Sequence, residues 1–335
     1  MCMLKKVNFY LLSFMILNVP LASASTDKWE LHDANLTARH ESTLVVADEA
    51  LYLLGGRGDK PVEVYNSKNQ TWQIALDKTP LELHHFQAVE WQNDIYIVGA
   101  FTGKYPNETG IENVLIFDTQ TQQLITSTQI PNSRVRGSAA AAVHNDKIYI
   151  AGGITDGHMT GSVAWLDEYN PITKTFTSLK DAPIARDHAS IAVIDDKLYH
   201  IGGRTTSAAT GEIFELTIPQ IDVYDFNTQT WQTLPPASNI PTPRAGANVT
   251  VVENEIWVIG GESGSQTQAH NEVQIFNPVT LEWSVGPKLN LGRHSGGAAN
   301  YQGTVIVASG SGKRGGRPEL GNLEMFKTLK PVQTN

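Results

Sequence analysis

Six copies of one short sequence pattern constrain this chain more than any other feature. Each copy is a mostly apolar run that ends in a pair of small residues, usually two glycines. The copies are LYLLGGR (51–57), IYIVGAF (95–101), IYIAGGI (148–154), LYHIGGR (198–204), IWVIGGE (256–262) and VIVASGS (305–311). Because successive copies begin 44 to 58 residues apart, each marks one structural unit that stacks on its neighbours.

A second series of runs follows the first, and an aromatic residue follows each of most of these. The second series is VEVYN (62–66), VLIFD (114–118), LDEYN (166–170), IDVYD (221–225), VQIFN (273–277) and LEMFK (323–327). The aromatic residues are Trp72, Phe176, Trp231 and Trp283, with Leu124 in the corresponding place. Short runs of Val, Ile, Tyr and Trp between turn residues predict strands, so the chain is expected to be all-β.

The glycine pair, the tyrosine and the tryptophan, repeated at a period near 50, resemble the kelch repeat. The resemblance covers residues 25 to about 327 and departs from the pattern at Ala100, Leu124 and Ser309. It implies a six-bladed β-propeller, in which each blade is a four-stranded sheet whose strands a to d run outwards from a central axis.

The sixth repeat stops after Phe326 without an aromatic residue of its own. Trp29, in the segment DKWEL, lies 43 residues before Trp72 and matches the missing position. We therefore predict that the N-terminal segment supplies the outer strand of the last blade. This pairing closes the ring and covers edges that would otherwise be open.

Residues 1–24 have the pattern of a secretory signal peptide. Lys5 and Lys6 precede the apolar run VNFYLLSFMIL, and Ala22-Ser23-Ala24 forms a cleavage site of small residues. The run is too short for a membrane span, which needs roughly 20 apolar residues. We expect cleavage after Ala24 and an exported domain, 25–335, that is periplasmic or secreted.

The single cysteine, Cys2, lies within the predicted signal. The exported chain is thus expected to have no disulfide and no thiolate chemistry. This excludes the copper-radical chemistry of galactose oxidases, which share the propeller, because their cofactor requires a cysteine joined to a tyrosine. The chain has 25 Lys and Arg against 34 Asp and Glu, a balance that argues against nucleic-acid binding.

The arginines are concentrated at one end of the predicted blades. Six precede strand a, namely Arg39, Arg134, Arg136, Arg186, Arg244 and Arg293. Four follow strand b, namely Arg57, Arg204, Arg314 and Arg317. Strand a begins where strand b ends, so we predict that all of them lie around the mouth of the central channel. The planar guanidinium group can bind carboxylate, sulfate or phosphate through two hydrogen bonds, which favours a role in binding an anion. For the arginines before strand a there is a structural alternative, in which they form hydrogen bonds to the protein backbone.

The histidines follow the same distribution, and together the two residue types define a candidate anion pocket. His40, His84, His85, His188 and His294 precede strand a, while His158 and His270 lie in loops after strand b. The predicted ligand-binding residues are Arg57, His84, His85, Arg136, His158, Arg186, His188, Arg204, Arg244, Arg293, His294 and Arg314. The loop 204–220, the longest after a glycine pair, is predicted to lean over the mouth.

Acid–base chemistry at this mouth has three candidate groups: His188 beside Asp187, His85, and Glu262 after a glycine pair. If arginine binds an acidic sugar beside such groups, they could catalyse its ring opening, epimerisation or β-elimination by transferring protons. Exported bacterial sialic acid mutarotases, which this chain resembles in its repeats, offer a precedent at the level of the fold. No metal or other cofactor is predicted, because His84 and His85 are adjacent and would diverge in a strand, and no HxH or HExxH spacing occurs.

Two classes of function remain open from the sequence. The first is a pocket for an anionic small molecule or acidic polysaccharide, which is either bound or acted upon as by a mutarotase, epimerase or lyase. The second is a non-enzymatic scaffold for other proteins, which would need exposed apolar side chains in the loops. Those loops are instead rich in Arg, His, Thr, Ser and Gly, which favours the polar ligand. The oligomeric state stays open.

Overall fold

Each of the six repeats folds into a four-stranded antiparallel sheet in the computed structural model, which describes residues 28–328. The predicted signal peptide, 1–24, lies outside these residues. In blades 1 to 3 the strands are Ser42–Ala47, Ala50–Gly55, Val62–Asn66 and Thr71–Leu76; Val89–Trp91, Asp94–Ile97, Asn113–Asp118 and Gln123–Gln129; and Ala140–His144, Lys147–Ala151, Leu166–Asn170 and Thr175–Ser178.

Blades 4 to 6 repeat the arrangement. Their strands are Asp187–Ile194, Lys197–Arg204, Asp222–Asp225 and Thr230–Thr233; Asn248–Val252, Glu255–Ile259, Val273–Asn277 and Glu282–Val285; and Gly297–Tyr301, Thr304–Ala308, Leu323–Lys327 and Glu30–His32. Two loop hairpins, Phe101–Thr102 with Thr109–Gly110 and Ile154–Asp156 with Thr160–Ser162, and two 3-10 turns, Asn132–Arg134 and Pro236–Ser238, complete the elements. Each innermost strand contacts those of the two adjacent blades, so the six blades form the predicted closed propeller.

The second strand of each blade is mostly apolar because both faces of the blade are buried. In blade 1, Leu51 and Leu53 enter the core shared with blade 6. Tyr52 and Leu54, which alternate with them, enter the core shared with blade 2. Successive side chains of a strand point to opposite faces, so a stack of blades requires such continuous runs.

The aromatic positions of the repeat pair across strands c and d. The directly opposed pairs are Tyr65 with Trp72, Phe117 with Leu124, Tyr169 with Phe176, Tyr224 with Trp231, and Phe276 with Trp283. In the four aromatic pairs the ring centroids lie 4.7–5.5 Å apart, within the range of favourable aromatic contacts. This shared register explains why the same two residue types recur at a fixed place in each repeat.

The N-terminal strand closes the ring, as the position of Trp29 predicts. Glu30 pairs with Met325 and His32 pairs with Leu323, so Glu30–His32 is the outer strand of blade 6. The Trp29 side chain is buried, and its ring centroid lies 5.5 Å from that of Phe326. The first and last described parts of the chain therefore share one sheet.

Candidate functional site

A ring of six residues surrounds the channel where the innermost strands begin. Each ring residue has a positive φ, between 49° and 58°, and each lines the channel. They are Glu41, His85, Ser138, His188, Gly246 and Ser295. In five blades the ring residue lies two positions after the arginine that precedes strand a, and in blade 2 His85 lies two positions after Leu83.

Hydrogen bonds from blade to blade hold this ring. The amide of Ser138 donates to His85 O at 2.9 Å, that of Gly246 to His188 O at 2.8 Å, and that of Ser295 to Gly246 O at 2.7 Å. The left-handed backbone costs about 1–3 kcal/mol at a residue other than glycine, and such strain concentrates at functional sites. Here it directs the side chains of His85 and His188 into the mouth of the channel.

A cavity of about 1150 Å³ opens above the ring, walled by the loops that follow strand b. Its lining includes five cationic side chains, Arg57, Arg204, Lys313, Arg314 and Arg317. It also includes three carboxylates, Glu41, Glu262 and Glu319. His85 and Glu41 line both this cavity and the narrow channel below it, so they mark the floor of the cavity.

Three buried histidines meet at this floor. His85 and His188 come from the ring, and His158 comes from the loop hairpin of blade 3. Their ring centroids lie 5.0–5.1 Å apart, and Nε2 of His158 is 3.2 Å from Nε2 of His188. One ring nitrogen of each lies within 4.8 Å of the other two. Burial lowers the pKa of His85 well below its usual value and, together with Arg204, that of His188.

A carboxylate stands beside each of the three histidines. Asp187 Oδ1 lies 2.5 Å from His188 Nδ1, Glu108 Oε1 lies 3.0 Å from His158 Nδ1, and Glu41 Oε2 lies 3.3 Å from His85 Nε2. Burial by itself raises the pKa of Glu108, but contacts with His158 and Arg57 outweigh it and lower the pKa to about 2. The pKa of Asp187 is also lowered, since contact with His188 outweighs burial. These buried carboxylates are therefore ionised at neutral pH.

The loop arginines form the walls above the histidines. Arg204 donates from Nη1 to Glu262 Oε1 at 2.6 Å and from Nε to Thr206 Oγ1 at 2.8 Å. Arg57 is bonded to Glu108. Burial opposes ionisation of Glu262, but His294 and Arg204 outweigh it and lower its pKa.

The long loop 204–220 contributes to the cavity wall. Ile213 and Phe214 line the cavity, and the Phe214 ring lies 5.3 Å from the Arg204 guanidinium and 5.6 Å from that of Arg314. Backbone bonds tie this loop to both neighbouring blades: the amide of Ala208 donates to His158 O, and that of Gly264 donates to Phe214 O. The loop lies at the mouth, as its length predicts.

Four arginines predicted in the pocket lie instead inside their own blades. Arg186 donates from Nη1 to Gly202 O at 3.1 Å and Gln220 O at 2.9 Å, and from Nη2 to Asp222 Oδ2 at 2.6 Å. The other three have equivalent partners: Arg136 bonds to Asp167, Arg244 to Gln274 and Arg293 to Glu324. These guanidinium groups are buried against the backbone and side chains of their own blades, so the prediction that these arginines converge on the cavity is wrong, and the structural alternative holds.

His84 and His294 lie one layer behind the cavity. His84 Nδ1 is 2.6 Å from His85 Nδ1, so the expectation that these adjacent rings diverge is also wrong. The reason is that His85 has a φ of 56° and is not extended. His294 Nε2 lies 2.9 Å from Lys313 O and 2.8 Å from Gly315 O, where it supports the cationic loop.

The structure thus brings together a subset of the predicted site residues and adds others. The predicted residues at the cavity or its floor are Arg57, His85, His158, His188, Arg204, Glu262 and Arg314. The residues that the candidate set omits are Glu41, Tyr105, Glu108, Lys313, Arg317 and Glu319. Glu41 could have been predicted as a site residue from the sequence, since it occupies the same place in its repeat as His85 and His188.

Comparisons with known proteins agree with this fold. Residues 85–310 match the KLHDC2/KLHL20/DRC7 Kelch-repeats domain. Kelch-like protein terF of Aspergillus terreus is 26% identical over 290 residues, which cover 81% of this chain and 61% of terF. Alpha-scruin of Limulus polyphemus is 29% identical over 272 residues, which cover 76% of this chain and 28% of the scruin. The chain therefore belongs to the kelch-repeat family, and it spans less than two thirds of the length of these relatives.

A solved structure has the same architecture. That of YjhT superposes with a TM-score of 0.71 at 14% sequence identity, over 85% of this chain and 94% of that chain. At this identity the likeness shows the fold alone. Among residues 28–328, no helix is long and apolar enough to cross a membrane.

Proposed function

We propose that this kelch propeller is exported and binds an anionic, carbohydrate-derived small molecule in the cavity at the channel mouth. One observation carries the proposal. The chain is acidic, with 34 Asp and Glu against 25 Lys and Arg, yet three cationic side chains, Lys313, Arg314 and Arg317, line the cavity without an ion-pair partner among the described residues. A local excess of positive charge in a concave site attracts an anionic ligand.

The rim supplies the charge that the ligand would meet first. Lys313, Arg314 and Arg317 are exposed, and within the part of the chain that the structure describes none of them forms an ion pair. In contrast, Arg57 and Arg204 are held by Glu108 and Glu262. The rim cations are therefore available for a ligand carboxylate, which arginine binds with two parallel hydrogen bonds.

Aromatic side chains make the cavity suitable for a sugar ring. Tyr105 lines the cavity with 53% of its surface exposed, and Phe214 forms another part of the wall. Small-molecule sites combine such apolar surfaces with a few placed polar groups. A sugar acid presents both features, since its ring has apolar C–H faces and its carboxylate carries the charge.

Neutralising the rim should weaken the binding of sugar acids by about 10- to 100-fold, since hydrogen bonds to charged groups contribute roughly 1.5–3 kcal/mol when shielded and less when exposed. The test variant is Lys313→Gln/Arg314→Gln/Arg317→Gln, and isothermal titration with glucuronate, galacturonate and N-acetylneuraminate gives the affinities. The control, Lys68→Gln/Lys174→Gln/Lys197→Gln, removes the same charge from exposed positions at the opposite end of the blades. Equal weakening in both variants would contradict the proposal.

Chemistry on the bound ligand is a second candidate function, favoured by the buried histidines and carboxylates at the cavity floor. Ring opening or epimerisation of a bound sugar acid requires groups that transfer protons within reach of the ring. The measurement is NMR exchange between anomers of the sugar that binds. For an enzyme, His188→Ala should lower turnover by about 10²- to 10⁴-fold while affinity changes far less. A wild-type exchange rate equal to that in buffer alone leaves binding as the function.

A further inference from the structure

The three-histidine floor has an arrangement that acid–base roles do not explain: each imidazole has a polar neighbour at one nitrogen, and one ring nitrogen of each histidine lies within 4.8 Å of the other two. His85, His158 and His188 are all buried, and their rings stand at 62° to 89° to one another. Rings that converge in this way can act together on one central atom.

Their outer partners determine which nitrogen carries the proton. Asp187 lies 2.5 Å from Nδ1 of His188, and Glu108 lies 3.0 Å from Nδ1 of His158. A carboxylate favours a proton on the nitrogen that faces it. In the neutral ring the other nitrogen, Nε2, then has an exposed lone pair.

His85 reaches the same state through its neighbour. His84 Nε2 lies 3.0 Å from Gly103 O, and a carbonyl can only accept, so His84 carries its proton on Nε2. His84 Nδ1 therefore accepts from His85 Nδ1 at 2.6 Å. This leaves Nε2 of His85 as a lone pair that faces Glu41 Oε2 at 3.3 Å, two acceptors with no proton between them.

The lone pairs are spaced for a common cation. Nε2 of His158 and Nε2 of His188 are 3.2 Å apart. Nitrogens about 2.0–2.1 Å from a tetrahedral metal lie about 3.4 Å from each other. Ligating histidines typically donate their second N–H to a carboxylate or carbonyl, as His188 does here to Asp187, while Glu108 lies in contact with Nδ1 of His158.

We propose that His85, His158 and His188 form a binding site for a divalent transition-metal ion, with Glu41 as a further ligand, at the floor of the cavity. Neutral imidazoles with a carboxylate suit Zn²⁺, Cu²⁺, Ni²⁺ and Fe²⁺, and the set has no thiolate. The three histidines and Glu41 would fill the four positions of a tetrahedral ion, so a water or ligand from the cavity would have to take a fifth position or displace Glu41. This proposal differs from the expectation, drawn from the sequence, of a chain without a metal.

The proposal does not depend on the function proposed above, because its test uses metal ions alone. The full chain is purified without an affinity tag, stripped with a chelator, and titrated with Zn²⁺ by calorimetry. We expect one equivalent per chain. Cu²⁺ in the same site should show nitrogen hyperfine splitting from imidazole ligands in its electron paramagnetic resonance spectrum.

Two variants and one control locate the site. His158→Gln should weaken Zn²⁺ binding by more than about 100-fold, since it removes one of three nitrogen ligands. Glu108→Gln, a positioning residue that keeps all three histidines, should weaken binding by about 10- to 100-fold. The control is His270→Gln, a buried histidine that instead contacts Ser263 and Glu272.

The competing arrangement is a plain hydrogen bond between His158 and His188, with one of the two rings protonated. It predicts no stoichiometric metal, or binding that His158→Gln and Glu108→Gln leave unchanged, and either result would overturn the proposal. Because Glu108→Gln retains every ligand, it decides the matter even if His158→Gln fails to fold. Loss of sugar-acid binding in the rim variant with metal binding intact would separate the two sites.

Discussion

Replacing Arg186 with methionine is expected to lower the free energy of unfolding by about 3–5 kcal/mol, the typical cost of removing one partner from a buried ion pair. Arg186 and Asp222 are both fully buried, and the arginine also bonds to Gly202 O and Gln220 O. Methionine fills much of the volume but leaves the Asp222 carboxylate and two carbonyls without these donors. Chemical denaturation of the purified variant measures the loss.

Two companion variants define the origin of this effect. Arg186→Lys keeps the charge but not the planar fork, so it should recover only part of the stability. Arg314→Met makes the same change of residue type on the exposed rim, where surface substitutions usually change stability by less than about 0.5 kcal/mol. If Arg186→Met were as stable as Arg314→Met, the structural role of the arginine before strand a would be refuted.

Truncating Trp29 to alanine should cost about 3–5 kcal/mol, the usual range for a buried large aromatic residue. Trp29 packs against Phe326, and its Nε1 donates to Pro287 O at 2.8 Å, so it joins the N-terminal strand to blades 5 and 6. The loss combines a cavity with a weakened ring closure. The melting temperature and the denaturation midpoint both report it.

Leu31→Ala is the matched control for this closure. Leu31 belongs to the same strand but is 47% exposed, so its truncation should have a small effect on stability. An unchanged melting temperature for Trp29→Ala would show that the N-terminal strand does not hold the ring together. Equal losses in the two variants would point to general fraying of the strand instead.

The fold could be predicted from the sequence because the constraints on a stacked blade repeat six times. Two buried faces require the continuous apolar run of strand b, and the pairing of strands c and d fixes partners such as Tyr224 and Trp231. The N-terminal strand that completes blade 6 could also be predicted, since Trp29 matches the aromatic position that the sixth repeat lacks. Repetition turns weak local signals into one consistent architecture.

The site was only partly predictable, because sequence shows which end of a blade a residue occupies but not the direction of its side chain. Arg186 and His188 are two positions apart, yet one enters the blade and the other enters the channel. The left-handed backbone at His188 sets the different direction of its side chain, and the residue type at that position does not predict this conformation. His158 reaches the floor of the cavity through contacts between loops of separate blades, and the spacing of residues in the sequence does not predict such contacts.

The most direct test of the anion-binding cavity is calorimetric titration of the full chain with glucuronate and with glucose, its uncharged counterpart, at low and high salt. We expect binding of the acid and none of the neutral sugar. The affinity for the acid should fall as salt rises, because the screening length shortens from about 10 Å at 0.1 M to about 3 Å at 1 M. Equal affinities for the acid and the neutral sugar, or an affinity for the acid that salt leaves unchanged, would contradict a site that selects its ligand by charge.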